Sequence, residues 1–321
     1  MEIYTIGNLT ADVILLSVKD FPDWGTEVFI DELDLRCGGN LGNIIFPLKK
    51  LHINPAIMGN LGNDYFGLYI LDKLKNSGFA TKYIVMEKDV PTSVSVSIVN
   101  KNGERALITQ TGQLVKIDGH FLDGCLESIK KNSIVILCSI FQFPNLKLKD
   151  IESFFKKLLE KRCITMLDTG WDPDGWKIGT LTEISSLLKY VDFFLPNLSE
   201  AKKITEEQDE KDVLKYFSNL GVKNTIIKKG PRGAAAMIRD RIIQSKAYPL
   251  KCLDSTGAGD CFNAAVIYCL KNGFTPEKML DFSNAAASIF VSRPEDKFPD
   301  LEEIEEIIKK MNINKTEKLN G

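Results

Sequence analysis

Short apolar runs of strand length alternate along this chain with longer stretches in which apolar residues recur at intervals of three and four. Ile3–Ile6 reads as a buried strand ending at Gly7-Asn8, with Asp12 just beyond it. Val28–Leu35 alternates in part, as a strand with one face in water does. The block Gly38-Gly39-Asn40-Leu41-Gly42-Asn43 then leads into an apolar, helix-like segment from Ile44 to Leu51. Ala56–Met58 is a short strand, and Gly59–Asp64 marks a second loop rich in glycine and asparagine. A helix follows, with apolar positions at Phe66, Ile70, Leu71 and Leu74. Thr92–Val99 and Ala106–Thr111 flank Asn100–Glu104, whose Asn102-Gly103 pair predicts a hairpin turn.

From Ile129 onward strands and helices alternate. Ile134–Cys138 is a strand and Ile151–Lys161 an amphipathic helix. Ile164–Leu167 ends in Asp168, Phe193–Leu195 ends in Pro196-Asn197, and Thr225–Ile227 ends in Lys228-Lys229-Gly230. Alternation at this spacing predicts a mostly parallel sheet with helices on both faces, a three-layer α/β/α fold. In such folds ligands sit beyond the carboxyl ends of the strands, where Asp12 and the polar residues just named fall. Asp12 there could accept hydrogen bonds from sugar-like hydroxyls, or merely bond its own turn. The hairpin and Val28–Leu35 are expected to make a small sheet apart from the main core. Leu301, Ile304, Ile307, Ile308 and Met311 form a last apolar stripe, and Asn312–Gly321 is expected to fray. No internal repeat or interdomain linker interrupts residues 1–321, which are expected to form one domain.

The stretch Leu253–Leu270, LDSTGAGDCFNAAVIYCL, organises the rest. Small residues at Gly257, Ala258 and Gly259 let backbone approach a ligand closely. Cys261–Leu270 is apolar on nearly every face, which suits a buried helix. The start of such a helix offers free N–H groups and the positive end of its dipole to an anion. Asp260 beside that site would repel a stored phosphate, but suits removal of a proton from a hydroxyl about to attack phosphorus. The alternative is that Asp260 only caps the helix.

Composition narrows the partners. With 41 basic and 43 acidic residues the net charge of −2 gives no general attraction to nucleic acid or an anionic membrane. The seven cysteines form no C-x-x-C pair and read as small buried hydrophobes of a reducing compartment. Two histidines leave little material for a histidine metal site or a Ser-His-Asp triad. The opening Met1–Gly7 does not resemble a signal peptide, and the apolar run Ser133–Pro144 is too short to span a bilayer. A cytoplasmic location is the expectation.

These residues together resemble the ribokinase-like (PfkB) family of carbohydrate kinases across essentially the full length. DSTGAGDCF is similar to that family's D-T-x-G-A-G-D-x-F signature. The block from Gly38 to Gly67 resembles its G-G-x-x-x-N…G-x-x-G-x-D-x-x-G pattern, and Asn197-Leu198-Ser199-Glu200 resembles its N-x-x-E element. The resemblance implies a ribokinase-like fold with a β-sheet lid from about 10–37 and 91–113. It implies Asp260 as catalytic base, with the Gly257, Ala258 and Gly259 amides holding the transferring phosphoryl group. Asn197 and Glu200 would organise Mg²⁺, Glu200 through water, near the phosphates of ATP. Asp12, Gly38, Gly39 and Asn43 match sugar-binding positions, with Arg105 as part of the lid. Lys228, Gly230, Gly233 and Asn284 fall at nucleotide-side positions.

Three departures bear on specificity. Lys228 replaces the threonine common in the family's T-x-G-x-x-G loop, so a contact there would be ionic. Asp168–Pro173 lacks the arginine that sugar-acid members carry in D-x-N-x-R, which disfavours a carboxylated substrate. Ser292-Arg293-Pro294-Glu295 lacks the glycine that shapes the family's monovalent-cation loop, which puts potassium activation in doubt. The expectation is an ATP- and Mg²⁺-dependent kinase acting on a primary hydroxyl of a free sugar. A nucleoside kinase, in which Trp24 or Phe29 closes over a base, and a sugar-binding regulator without catalysis are the alternatives. A homodimer paired through the lids is expected as well. A dehydrogenase and a P-loop kinase fail on their glycine motifs.

Overall fold

Where the isoleucine-rich runs fall decides the architecture, because each is too apolar to leave either face in water. The computed structural model describes residues 1–19, 21–100, 105–293 and 297–320; the side chains of Ser17, Arg105 and residues 312–320 fall outside that description. The turn expected at residues 101–104 and the Pro294-Glu295 pair lie outside the described residues.

The first half of the chain runs β1 (Ile3–Ile6), β2 (Thr10–Val18), β3 (Glu32–Gly38), α1 (Gly39–Lys50), β4 (Ala56–Gly62) and α2 (Tyr65–Asn76). It continues through β5 (Ile84–Glu87), β6 (Val94–Asn100), β7 (Arg105–Gln110), α3 (Gly119–Ser128), β8 (Ile134–Cys138), α4 (Leu148–Glu160) and β9 (Ile164–Asp168). Then follow α5 (Ile178–Leu187), β10 (Phe193–Phe194), α6 (Leu198–Thr205), α7 (Glu210–Asn219), β11 (Asn224–Lys228), β12 (Ala234–Ile238) and β13 (Arg241–Ser245). Three helices close the chain: α8 (Ala258–Lys271), α9 (Pro276–Val291) and α10 (Leu301–Asn320).

Nine strands form one sheet in the order β13-β12-β11-β10-β9-β8-β1-β4-β5. All neighbours from β5 to β11 pair in parallel, whereas the β11–β12 and β12–β13 pairs are antiparallel, so β12 runs against the other strands. Alternate side chains of the central strands enter two cores. Tyr4, Val135 and Leu137 pack on the side of α4 and α7, whereas Ile134 and Ile136 pack against α8 and α9. The expected α/β/α layering is therefore observed. Parallel strands end on a common edge, so Gly7-Asn8, Ser139, Thr169, Asn197 and Lys228 are gathered there.

The second sheet, in the order β3-β2-β6-β7, is fed directly from β1. Its register separates two faces. Asp12 lies opposite Arg36 and Ser95, and Ser95 opposite Thr109; Val13 lies opposite Leu35 and Val96, and Val96 opposite Ile108. One face is thus polar around Asp12 and the other apolar.

Several boundaries differ from those the pattern predicts. The strand expected at Val28–Leu35 lies at Glu32–Gly38, because its pairing with β2 runs from Glu32 to Gly38; Phe29 outside it is 87% exposed. Asp12 is not at a strand end but inside β2. The supposed loop Gly39–Asn43 is the first part of α1, entered through a left-handed Gly39 (φ 74°). The strand expected to stop at Met58 continues to Gly62, because Gly59–Gly62 pair in parallel with β5. α10 runs on through residues 312–320, where fraying is expected.

Candidate active site

Gly257 decides where α8 begins. Its φ of +83° suits glycine, and a Cβ there would lie 3.1 Å from Asn43 Cγ and 3.2 Å from Phe290 Cζ. No side chain caps this helix. The Ala258 N–H donates to the Ser255 carbonyl at 3.2 Å, so of the three small residues it already has a local acceptor. Asp260 sits in the first turn, 7% exposed, and its carboxylate faces α1 instead of capping α8. Asn40 Nδ2 donates to it at 2.8 Å and Asn43 Nδ2 at 3.0 Å. The cap alternative for Asp260 is thereby excluded.

A chain of amides fixes that pair. Asn40 Oδ1 accepts from the Ser139 hydroxyl at 2.5 Å, and the Asn40 N–H donates to Asn8 Oδ1 at 2.9 Å. Asn8 in turn donates to Gln142 Oε1 at 2.7 Å. Ser139 holds a left-handed backbone (φ 53°) at the end of β8, which turns its hydroxyl toward Asn40.

Behind Asp260 lies a buried cluster of charge. Lys228, at the end of β11, pairs with Asp168 Oδ2 at 2.6 Å, with both side chains almost fully enclosed. Asn263, one turn beyond Asp260 on α8, donates to the same Oδ2 at 2.5 Å. Lys228 Nζ lies 3.4 Å from where a Cβ on Gly259 would sit, so the ammonium borders the start of α8. Burial opposes its charge, but Asp168, Glu200 and Asp260 outweigh burial and hold its pKa above the ordinary lysine value. Burial, then the charge of Asp168, push Asp260 up to about 7 against the pull of Asn40, Lys228 and Asn43. Burial and then Asp168 raise Glu200 to about 7 as well.

Asn197 and Glu200 form a capping box on α6: the Glu200 N–H donates to Asn197 Oδ1, and Glu200 Oε2 accepts from the Asn197 N–H, each at 2.9 Å. That box alone accounts for the local N-x-x-E spacing. Among the described residues no group of three or more His, Cys, Asp or Glu forms a metal cage.

The remaining positions separate into near and far. A Cβ on Gly38 would collide with the Asp12 carboxylate, so glycine there admits Asp12. Burial raises Asp12 to about 6, with Arg36 across the strand pulling the other way. Gly39 serves packing, since a Cβ would collide with the Asn8 carbonyl. Gly233 and Asn284 converge on the Ser245 carbonyl, where a Gly233 Cβ would collide and which accepts from Asn284 Nδ2 at 3.1 Å. Gly230 opens the turn between β11 and β12 with φ +57°. Arg105 begins β7, but its side chain lies outside the described residues.

Sequence reasoning gave Asp168 only a place among the strand-end residues and Asn40 only a place in the glycine block, and it left Ser139 and Asn263 without a site role. Asn263 had a signal: it is the one amide in an otherwise apolar helix, three residues after Asp260. Asn40 stood inside the glycine block, whereas Ser139 and Asp168 become neighbours of the site only through parallel pairing of β8 and β9.

The profile of the pfkB family of carbohydrate kinases matches residues 2–303. The chain belongs to the PfkB family. Among its relatives is an ATP-dependent 6-phosphofructokinase of Thermoanaerobacterium thermosaccharolyticum, 26% identical over 291 residues, covering 89% of this chain and 87% of the relative. A ribokinase of Staphylococcus aureus is 24% identical over 315 residues, covering 95% and 99%. A ribokinase structure from Thermotoga maritima superposes with a TM-score of 0.82 at 22% identity, covering 96% and 99%. This PfkB chain therefore has the ribokinase-like fold, and no helix of its described residues is long and apolar enough to cross a membrane.

Proposed function

We propose that this PfkB-family kinase transfers the γ-phosphoryl group of ATP to a primary hydroxyl of a free sugar. The observation that carries the reading is Asp260: a buried carboxylate with a pKa near 7, aimed by two amides, at the start of a helix with no side-chain cap. A base of that pKa can take the hydroxyl proton at neutral pH. Gly257 and Gly259 leave room for the phosphoryl group against the α8 dipole, and the Lys228 ammonium lies alongside. Glu200 fits a hydrated Mg²⁺, because burial and the neighbouring charges of Asp168 and Asp260 disfavour its own negative charge unless a cation offsets it. When bound, Mg²⁺ would supply charge neutralisation at the ATP phosphates.

On the acceptor side Asp12 faces a polar sheet surface with Ser95 and Thr109. Arg36 there is shared between Asp34 and Asp12, which leaves the surface suited to hydroxyls more than to a phosphate or carboxylate. Trp24 is fully exposed and Phe29 nearly so, which weakens the nucleoside alternative. The test is ADP release across ketoses, aldoses, sugar acids and nucleosides. Turnover confined to nucleosides or sugar acids would overturn the free-sugar reading.

The pH dependence follows from Asp260. Its carboxyl must be ionised to act, so kcat/KM should rise tenfold per pH unit below about pH 7 and flatten above it. Stability should move the opposite way. A carboxyl with a raised folded pKa binds more protons folded than unfolded between about pH 4 and 7, so stability falls as pH rises through that window. A kcat/KM profile flat down to pH 5 would remove Asp260 as the base.

Gly38→Ala should push the Asp12 carboxylate aside and raise the sugar KM by about tenfold or more, with the ATP KM unchanged. An unchanged sugar KM would take Asp12 out of the acceptor site.

The apolar face of the small sheet, with Val13, Leu33, Leu35, Val96 and Ile108, completes the reading. Leu33 and Ile108 are about 60% exposed in the single chain. We propose that the small sheet is a lid of this single domain and that two lids pair across a twofold axis through this face. Light scattering should give two chain masses, and Val96→Asp should give one. An active species of one chain mass at every concentration contradicts the pairing.

A further inference from the structure

A second cleft opens at the other edge of the large sheet. Ile164, Phe193 and Asn224, the first residues of β9, β10 and β11, border a cavity of about 1080 Å³ there. That volume is at the upper end of those that take small ligands. The strands run in parallel from this edge toward Asp168 and Lys228, so the cavity is separate from the candidate active site. Phe193, Val222 and Ile238 line it from the sheet, and Leu270, Phe274 and Met279 from α8, α9 and the turn between them. Four charged residues stand among these apolar ones: Asp192, Lys223, Arg239 and Asp240. Two of them neutralise each other, since Lys223 Nζ pairs with Asp192 Oδ1 at 2.6 Å, and Asp192 Oδ2 accepts from the Thr165 N–H at 3.0 Å. Asp240 Oδ1 lies 3.5 Å from the Ser218 hydroxyl. Arg239 differs, because among the described residues it makes no ion pair and no side-chain hydrogen bond.

The backbone that carries Arg239 is strained. Arg239 and Asp240 form the two-residue turn between β12 and β13, and both are left-handed, with φ of 49° and 62°. Such a turn favours Asn-Gly, and arginine there carries the left-handed penalty. Strain held at one position points to function when it sets a free cation on the rim of a cavity. We propose that this cleft is a second ligand site, which takes a small organic monocarboxylate with an apolar body. The guanidinium receives the carboxylate through paired N–H donors, and the body covers Phe193, Val222 and Leu270. A single negative charge suits one guanidinium beside Asp240 better than a doubly charged phosphate does. Helix α8 joins the two sites, since Leu270 lines the cleft and Asp260 stands about 15 Å away along the same helix. The site is additional to the kinase reading and does not depend on it.

The test is calorimetry on the full chain with 1-naphthaleneacetate as the probe and 2-(1-naphthyl)ethanol as its uncharged counterpart. The acid should bind once per chain, and the alcohol about tenfold more weakly or worse. Saturating ATP should not displace the acid, because the two edges of the sheet are apart. Arg239→Asn should weaken the acid about tenfold and leave the alcohol unchanged, with a Tm at or above that of wild type, since asparagine tolerates the left-handed turn. Asp240→Asn should strengthen the acid severalfold by removing the opposing charge. Ser218→Trp, which fills the cleft from α7, should abolish binding of both. No binding of the acid to wild-type protein at about 1 mM overturns the proposal. So does displacement by ATP, or equal affinity of Arg239→Asn and wild type, which would place the probe on another surface. A Tm of Arg239→Asn well below wild type would show that Arg239 serves the fold, and would overturn the proposal too.

Discussion

Asp260→Asn is expected to reduce kcat by about 10²–10⁴-fold while leaving sugar and ATP affinities within a few-fold. The amide keeps the shape of the carboxylate and its enclosure, but it cannot accept the hydroxyl proton. Asn40 and Asn43 both donate to this group, at 2.8 and 3.0 Å, so an asparagine can still accept one of those bonds. Removing a buried charge with a pKa raised to about 7 also relieves desolvation, and the variant should fold at least as stably at pH 8. Substrate affinities by calorimetry, set beside kcat, separate the chemistry from binding. A variant that keeps a tenth or more of wild-type kcat would mean that Asp260 only holds α1 against α8.

Lys228→Met should be the most destabilising of these substitutions, by about 3–5 kcal/mol, because it leaves Asp168 buried without its cation. Asn263 remains as a donor to Asp168 Oδ2, but one amide does not offset a charge. The kcat should fall as well, since the ammonium beside Gly259 is lost. The two effects separate in the double variant Asp168→Asn with Lys228→Met. There the unpaired charge is gone, so stability should recover by most of the loss, whereas kcat should stay low. Recovery of kcat along with stability would show that Lys228 only neutralises Asp168. Urea unfolding of the wild type and the two variants provides the numbers.

The two sheets and the buried α8 were legible because periodicity reports burial directly: Ile3–Ile6, Ile134–Cys138 and Cys261–Leu270 are apolar for the reason that the fold encloses them. β2, β12 and β13 were not legible. Ala234–Ile238 has almost no strand propensity and is a strand only because β11 and β13 flank it. The α1 boundary was misplaced because Gly39 and Gly42 read as loop residues. Both are glycines for close contact instead: a Cβ on Gly39 would collide with the Asn8 carbonyl, and one on Gly42 would lie 2.7 Å from the Cys37 carbonyl. In the candidate site, motif residues such as Asp260 and Asn43 could be picked out singly. Asp168 pairs with Lys228 across 60 residues of sequence, and Lys297 with Asp254 across 43, so neither pair carries a local pattern.

The central claim is that Asp260 directs a phosphoryl group onto a primary hydroxyl of a free sugar. The most direct measurement is the proton-coupled phosphorus NMR spectrum of the product, formed from the sugar that gives the fastest ADP release. A phosphate on a CH₂ carbon couples to two protons and gives a triplet, growing in step with ADP and absent with Asp260→Asn. A doublet would place the phosphate on a ring or secondary carbon. ADP released with inorganic phosphate as the only new signal would contradict transfer to a sugar altogether.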